Sequence, residues 1–297
     1  MYRIGGIEAG GTKFVCVVAN AAHEILAETV IPTTTPAETF AAALAFFRQQ
    51  GGVQALGIAS FGPLILDREA AAYGHVGRTP KPGWTGADIV GVFRCELGVP
   101  VVLDTDVNGA GLAEARLGAG RGLDVMAYLT VGTGIGGGLI IGGRPVHGLT
   151  HPEMGHVKVQ RHALDGDFAG VCPFHGDCLE GMAAGPSVMA RLGHPLNEAS
   201  PDHPIWTILG AYIGQFCATL TLLASPQRIV LGGGVMSNAG LFPRVRTACA
   251  AALADYVAHP RLAASATDYI VPPGLGDRAG AIGALLLAES GLSEAAD

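Results

Sequence analysis

Charged residues are scarce in this sequence, and basic residues are scarcer than acidic ones. Asp, Glu, Lys and Arg make up 14% of the chain, and 25 acidic residues outnumber 18 basic ones, which gives a net charge of −7. Nucleic-acid binding needs a basic surface that pairs with phosphates, so this balance argues against DNA or RNA as the main partner. Nearly half of the 297 residues are hydrophobic, enough to build one large domain or two linked lobes.

Long uninterrupted apolar runs are missing as well. The first residues, MYRIGGIEAGG, contain no apolar run of the signal-peptide kind. Apolar runs elsewhere are broken by glycine or polar residues well short of the length that crosses a bilayer. We therefore expect a soluble, cytoplasmic protein with no membrane partner.

Glycine is abundant, with 45 residues, yet it forms no collagen-type repeat. Three glycine-rich segments, EAGGTK, VGTGIGGG and LGGGV, each follow or end an apolar strand, and GMAAGP is a weaker fourth. None is a Walker A loop, and GTGIGGG is followed by a strand rather than by the helix of a dinucleotide-binding turn. Each alone could be only a hairpin turn.

Taken together, these segments predict a cradle for a nucleotide triphosphate, because glycine lets backbone N–H groups approach phosphate oxygens closely. Threonine hydroxyls and one lysine would add hydrogen bonds and charge. The predicted nucleotide-binding residues are Gly10, Gly11, Thr12, Lys13, Thr133, Gly134, Gly181, Gly232, Gly233 and Gly234.

The chain divides into two similar halves. RIGGIEA and KFVCVVA predict two strands joined by a tight turn, EILAETVIP a third, and residues 36–49 a helix with Thr35 as N-cap. YLTVGTGIGGGLII repeats the order of strand, small-residue turn and strand. Two lobes with the same mixed sheet and a cleft between them would account for this repetition.

The patterns in the remaining segments predict where each lobe begins and ends. Residues 204–224 have a helical pattern. The segment SPQRIVLGGGVMSN predicts a strand that runs into a glycine-rich helix start. The segment GDRAGAIGALLLAES predicts a helix that packs back on the first lobe. We predict an N-terminal lobe over 1–115, completed by the C-terminal helix 279–297, and a C-terminal lobe over 116–278.

Two aspartates follow the apolar run VPVVL. Open α/β folds place their chemistry at the carboxyl ends of strands, and strand alternation puts Asp104 and Asp106 on the same side, where one could face the cleft and the other support it. An aspartate beside a sugar hydroxyl can accept its proton as that oxygen attacks a γ-phosphate, and Asn108 could bind the same substrate. The alternative is that DTDVN merely caps a helix beginning near Gly109.

A group of metal-binding residues lies in the second half. Cys172, His175 and Cys178 form a C-x2-H-x2-C motif, and thiolate and imidazole are good zinc ligands. His156 and His162 are the candidates for a fourth ligand. A redox pair and unliganded thiols are the alternatives to zinc. Four protein ligands would make the site structural.

The metal would fix the loop that carries Glu153 and Glu180. Carboxylates at these positions are suitable partners for sugar hydroxyls. The segment from His151 to Gly181 is therefore predicted to bind a structural metal ion that shapes a substrate pocket.

The motifs EAGGTKF, DTDVN, GTGIGGG, HPEMGH, CPFHGDCLEG and LGGGV, in this order, resemble the ROK family (repressors, uncharacterised frames, sugar kinases) over essentially the whole chain. Glu8, where many members have Asp, and C-x2-H-x2-C in place of C-x-C-x4-C resemble the bacterial ROK fructokinases most. The resemblance implies an α/β, actin-like (ribonuclease H-like) two-lobed sugar kinase fold with a central ATP and sugar cleft. It also implies a homodimer.

The resemblance assigns roles to the matching residues. Asp106 would be the catalytic base. The sugar would be bound by Asn108, Glu153, His156 and Glu180. Structural Zn²⁺ would be held by His156, Cys172, His175 and Cys178. Thr12, Thr133 and the LGGGV glycines would contact ATP, whose Mg²⁺ shields the phosphates.

The expected function is ATP-dependent phosphorylation of a free hexose at its 6-hydroxyl, foremost D-fructose to D-fructose 6-phosphate. Glucose, mannose or an N-acetylhexosamine remain open as substrates, and so does a non-catalytic sugar-sensing role. A family repressor would carry a helix-turn-helix segment before the first lobe, and we expect none, because Met1 immediately precedes the first strand.

Overall fold

The computed structural model describes residues 2–294, which form two compact units. The first unit comprises the described residues up to Ala113, residues 145–151 and those from Leu275 onward; the second comprises Glu114–Arg144 and Pro152–Gly274. Segment 145–151, which the predicted C-terminal lobe included, groups with the first unit. The end of the predicted C-terminal helix, 295–297, lies outside the described residues.

The first unit is built on a mixed five-stranded sheet. Its strands are β1 (Ile4–Ala9), β2 (Lys13–Ala19), β3 (Ile25–Pro32), β4 (Leu56–Ser60) and β5 (Val101–Thr105). They lie in the order β3-β2-β1-β4-β5, antiparallel in the β1–β2 and β2–β3 pairs and parallel in the β1–β4 and β4–β5 pairs. All five residues of β4 are buried, as a central parallel strand requires.

The helices beside this sheet are α1 (Pro36–Gln49), α2 (Ile89–Leu97) and α8 (Ala279–Glu294), and α3 (Asp106–Leu117) begins in this unit and continues into the second at Glu114. The predicted start of α1 is confirmed, because the Thr35 hydroxyl accepts from the Glu38 N–H at 3.3 Å and the Glu38 carboxylate accepts from the Thr35 N–H at 3.5 Å. Helix α8 packs on β1 and β4 of this sheet.

The second unit is built on a sheet of the same design. Its strands are β6 (Val125–Val131), β7 (Ile135–Ile141), β8 (Arg144–Pro145), β9 (Arg228–Gly232) and β10 (Ile270–Val271). The order is β10-β9-β6-β7-β8, with β6 antiparallel to β7 and parallel to β9, and with β9 parallel to β10. This matches the first sheet strand for strand, so the weak repetition in sequence corresponds to a repetition of topology.

The helices of the second unit are α4 (Leu179–Ala183), α5 (Gly185–Leu192), α6 (Ile205–Ala224) and α7 (Leu241–Leu253). Helix α6 is long and apolar enough to cross a membrane by length and composition, and 61% of that stretch is buried inside the fold. It packs along α7, and Trp206, Tyr212 and Phe216 lie in the core of the unit. Helix α6 therefore packs as a helix in the core of the second unit.

Two predictions about the glycine-rich segments are wrong in detail. The run Gly136–Gly138 belongs to β7 rather than to the turn, since it pairs with residues 128–130 of β6. The LGGGV run does not open a helix: β9 ends at Gly232, turns follow, and α7 begins only at Leu241. At Gly233 φ is +90° and a Cβ would lie 2.5 Å from the Val131 carbonyl oxygen, so the residues after β9 form a tight turn against β6.

Candidate active site and metal site

The chain changes from strand to helix between the two aspartates. Strand β5 ends at Thr105 and α3 begins at Asp106, where the Thr105 hydroxyl accepts a hydrogen bond from the Asn108 N–H at 3.1 Å. The predicted start near Gly109 is wrong, because Thr105 supplies this cap three residues earlier. Asp106 therefore occupies the first helical position, where the partial positive charge of a helix N-terminus stabilises a carboxylate.

Asp104 and Asp106 have different surroundings. Asp104 is 4% exposed, and its Oδ1 accepts from the Thr105 N–H at 2.7 Å and from Asn108 Nδ2 at 2.8 Å. Asp106 is half-buried, and its Oδ1 accepts from the Val107 N–H at 2.8 Å. Because the backbone turns helical at Asp106, the strand alternation that put both side chains on one side no longer applies.

A histidine that sequence reasoning missed lies against Asp104. His147 Nε2 lies 3.1 Å from Asp104 Oδ1 and 3.0 Å from Oδ2. Its hydrogen bond with Asp104 raises the pKa of His147 above the ordinary histidine value. The two residues are 43 positions apart in sequence, so no local pattern connects them.

The predicted nucleotide loop of the first unit is the β1–β2 hairpin turn. The Gly10 N–H donates to the Lys13 carbonyl at 2.9 Å, and the Thr33 hydroxyl donates to the Gly10 carbonyl at 2.7 Å. Gly11, Thr12 and Lys13 are exposed. The turn is thus anchored at its base while its tip faces solvent.

In the second unit, three predicted loops meet. The Val235 N–H donates to the Val131 carbonyl at 2.9 Å, and the Gly185 N–H donates to the Gly132 carbonyl at 2.7 Å. These bonds join the β6–β7 turn, which carries Gly134 and the exposed Thr133, to the residues after β9 and to the start of α5. Loops far apart in sequence therefore form one cluster at the carboxyl ends of the parallel strands β6 and β9.

The predicted metal ligands are close together. One ligand atom from each of His156, Cys172, His175 and Cys178 lies within 4.8 Å of the others. His156 Nδ1 lies 3.7 Å from Cys172 Sγ and 3.6 Å from Cys178 Sγ, and His175 Nδ1 lies 3.7 Å from Cys172 Sγ. Bonds of about 2.3 Å to sulfur and 2.0–2.1 Å to nitrogen in a tetrahedral zinc site put such atoms about 3.6 Å apart. The four residues fit a tetrahedral zinc ion.

His162, the alternative fourth ligand, is engaged elsewhere. It caps the short 3-10 helix Ala163–Asp165, and its Nδ1 accepts from the Leu164 N–H at 3.2 Å. The ligand group contains His156 instead. Burial raises the pKa of the Cys178 thiol, so its thiolate needs an adjacent cation to form at neutral pH.

The loop from Cys172 to Cys178 leads directly into helix α4. Cys178 is the N-cap of that helix, and a Cβ on Gly181 would lie 1.9 Å from the Gly176 carbonyl oxygen, so only glycine fits there. Glu180 follows Cys178, is half-buried, and accepts from the Ile135 N–H of β7 at 3.0 Å. Glu153, before the 3-10 helix Met154–His156, is exposed. The loop thus positions Glu180 at the β6–β7 turn.

A buried ion pair, also missed from the sequence, fixes the segment between His156 and Cys172. Arg191 donates to both carboxylate oxygens of Asp165 at 2.7 Å, and the Tyr212 hydroxyl donates to Asp165 at 2.6 Å. The Arg191 guanidinium also lies 3.7 Å from the ring centre of Phe168. The side chains of Asp165 and Arg191 are only 2% and 9% exposed. This network fixes the segment to α5 and α6.

Replacing Asp165 by alanine is expected to lower the free energy of unfolding by about 3–5 kcal/mol, because the buried Arg191 guanidinium would lose its carboxylate. Urea denaturation followed by circular dichroism measures this. Glu96→Ala is the control, since it breaks an exposed pair with Arg48 and should leave the midpoint almost unchanged. An Asp165→Ala variant as stable as wild type would show that the pair does not fix this segment.

A family model described as ROK family matches residues 4–290, nearly the whole chain. The chain belongs to the ROK family. The family resemblance drawn from the motifs is thereby confirmed.

Individual ROK relatives agree with this assignment. The fructokinase of Zymomonas mobilis subsp. mobilis is 45% identical over 291 residues, which cover 96% of this chain and 95% of the relative. The fructokinase of Pediococcus pentosaceus is 42% identical over 292 residues, which cover 98% and 99%. A solved ROK glucokinase from Streptomyces griseus, in complex with glucose and AMPPNP, matches with a TM-score of 0.75 and 26% identity over 97% of this chain and 99% of that one.

These likenesses also bear on the predicted fold class. The structure contains two mixed sheets with the same strand order, and helices pack on each sheet. This architecture is that of the actin-like (ribonuclease H-like) ROK kinases. The α/β fold class predicted from the sequence is confirmed.

Proposed function

We propose that this chain catalyses the ATP-dependent phosphorylation of free D-fructose at its 6-hydroxyl group. The observation that carries the proposal is the position of Asp106 at the start of α3, at the carboxyl end of β5, in a chain so similar to fructokinases. The curated relatives support fructose phosphorylation by ATP, and the S. griseus structure, which contains glucose and AMPPNP, supports a sugar and a nucleotide as joint ligands. Phosphorylation at the 6-hydroxyl is our own extension.

In this reaction Asp106 acts as the general base. Its carboxylate accepts the proton of the sugar hydroxyl while that oxygen forms a bond to the γ-phosphorus of ATP. The bond from the γ-phosphorus to the bridging oxygen breaks, ADP leaves, and the proton passes from Asp106 to solvent. The N-terminal position of Asp106 on α3 favours the ionised form that this step needs.

The proposed sugar-binding residues are Asn108, Glu153, His156 and Glu180. Asn108 follows Asp106 by two positions and is buried, whereas Glu153 is exposed. His156 can serve both the sugar and the metal, because its Nδ1 faces the two sulfurs and leaves Nε2 for a hydroxyl. Glu180 has one oxygen, Oε2, bonded to the Ile135 N–H, which orients the other.

The proposed ATP contacts are the exposed tip of the β1–β2 turn and the three-loop cluster of the second unit. Thr12 and Thr133 offer hydroxyl donors there, Lys13 offers a positive charge, and both threonines are exposed. The glycine residues proposed for ATP binding in these loops are Gly10, Gly11, Gly134, Gly232, Gly233 and Gly234. Gly181, also proposed, lies outside them, in α4 against Gly176. Mg²⁺ bound with ATP would neutralise charge on its phosphates.

The proposed metal is a structural zinc ion held by His156, Cys172, His175 and Cys178. A closed set of four protein ligands gives zinc no open position for a reactant. Zinc would instead fix the loop that positions Glu180. The homodimer implied by the family resemblance and the cytoplasmic location expected from the sequence belong to the same proposal.

The proposal is tested by ADP release with Mg·ATP and a panel of fructose, mannose, glucose, N-acetylmannosamine and N-acetylglucosamine. We expect the highest kcat/KM with fructose and, by NMR of the product, fructose 6-phosphate. Preference for another sugar would overturn the substrate and retain the kinase. No turnover on any sugar would contradict the reaction and favour a sensor or scaffold.

A further inference from the structure

Segment 145–151 is fixed to the first unit by two histidines. His151 Nε2 accepts from the Leu64 N–H at 2.9 Å, and His147 makes its ion pair with Asp104. Two positions after His151 comes the proposed sugar ligand Glu153. Neither histidine has a role in the reaction described above.

Asp104 is the acceptor on which several donors converge. Its Oδ1 receives the Thr105 N–H and Asn108 Nδ2, while Oδ2 lies 3.0 Å from His147 Nε2. The side chain of Asp104 is 5% exposed, so water satisfies little of its charge, and a cation beside it offsets the cost of burial. His147 Nε2 and Asn108 Nδ2 lie 3.3 Å apart because both point at the same acceptor.

This arrangement fixes the orientation of the Asn108 amide. With Nδ2 donating to Asp104, a flip of the amide would put Oδ1 against a carboxylate oxygen, which repels it. Asn108 Oδ1 is buried and has no hydrogen-bond partner among the described residues. An unsatisfied buried acceptor is unfavourable, and a sugar hydroxyl would satisfy it.

We propose that His147 is a positioning residue which, through Asp104, holds the Asn108 amide with Oδ1 turned toward a hydroxyl of the sugar. The inference rests on the proposed function and deepens it, since it names the atom of Asn108 that accepts from the substrate and the residues that orient it. His147 acts on sugar binding and leaves the ATP contacts unaffected.

His147→Ala is expected to raise KM for fructose about tenfold, the size of one hydrogen bond to a charged group. The kcat and the KM for ATP should stay near wild type, because the lost interaction serves sugar binding in ground state and transition state alike. His147→Gln, which keeps an N–H donor, should restore most of the affinity for fructose at neutral pH. Steady-state kinetics with each substrate varied in turn, and fructose titration by calorimetry, measure these effects.

The dependence on pH separates positioning from mere packing. The charged group against His147 is Asp104 of β5, and Asn108 of α3 faces it as a neutral group. Because the pKa of His147 is raised, the ion pair is fully present below about pH 6.5 and is lost as pH rises through the raised value. KM for fructose should therefore rise with pH over that range in wild type and stay flat in His147→Gln.

Two further variants make the test decisive. In an Asp104→Asn background, His147→Ala should add almost nothing, since both changes remove the same interaction. His23→Asn is the matched control: it breaks the contact between His23 and Glu289, which involves none of the groups bonded to Asp104, and asparagine tolerates the φ of 59° at that position. Its KM for fructose should equal that of wild type.

The outcomes distinguish this inference from the proposed function. An active wild type whose KM for fructose is unchanged by His147→Ala, or additive effects of His147→Ala and Asp104→Asn, would overturn the positioning role alone. An equal rise of both KM values would also overturn it, since that indicates a general disturbance. A wild type without activity on any sugar would overturn the proposed function, and calorimetry would still show whether His147→Ala weakens fructose binding.

Discussion

Asp106→Asn is expected to lower kcat by about 10²–10⁴-fold, the range that a general base contributes, while fructose binding survives. Asparagine has nearly the shape of aspartate and is compatible with the start of a helix, but its amide cannot accept the hydroxyl proton. The loss should therefore appear in kcat, with the dissociation constant for fructose by calorimetry near that of wild type. ADP release under saturating fructose and ATP measures the turnover.

The matched control is Asp88→Asn. Asp88 is the N-cap of α2 in the same unit, where its carboxylate accepts from the Gly91 N–H at 2.7 Å. Asparagine caps helices as well as aspartate does, so this variant should keep both stability and turnover. If Asp106→Asn turned over as fast as the Asp88→Asn control, Asp106 would have no part in proton transfer.

The second large effect concerns the metal. Protein purified without added zinc is expected to contain about one zinc ion per chain, because four thiolate and imidazole ligands bind zinc in preference to most other metals. A chelator strong enough to remove it should abolish most of the activity and lower the unfolding temperature, since metal binding and folding of the loop are coupled. Elemental analysis by mass spectrometry, activity and thermal unfolding measure the three effects.

Point variants assign the ligands. Cys178→Ser and His156→Ala should each lose the metal, whereas His162→Ala should retain it because His162 caps its own 3-10 helix. Cys95→Ser is the control for thiol substitution, since Cys95 is exposed and lies outside the ligand group. Metal-free protein as purified, with wild-type stability, would contradict the zinc assignment. Loss of zinc in His162→Ala but not in His156→Ala would reverse the choice of fourth ligand.

Several features of the fold were predictable from short segments alone. Helix α1 begins at Pro36 because Thr35 and Glu38 form a capping box, a signal that lies within four residues. Strands β1 and β2, and likewise β6 and β7, are mostly apolar, and short turns at residues 10–12 and 132–134 join them. Such signals need no distant partner, so the sequence carries them completely.

Predictions from the sequence were wrong where two local signals compete. In DTDVN, Asp, Thr and Asn can all cap a helix. Thr105 is the cap in the structure, because its hydroxyl accepts from the Asn108 N–H directly after β5 ends. In LGGGV, glycine suits both a helix start and a tight turn. The backbone of β6 decides for the turn, because the Val131 carbonyl accepts from the Val235 N–H.

By itself, then, the sequence determined the family, the motifs and most of the elements, because these depend on residue types at short spacing. Only the tertiary structure shows that His156 lies beside Cys172 and Cys178, that three glycine-rich loops meet in one unit, and that His147 lies against Asp104. These contacts join residues 16 to 104 positions apart. Their geometry is fixed by the order of strands in each sheet, and no local spacing of residues records that order.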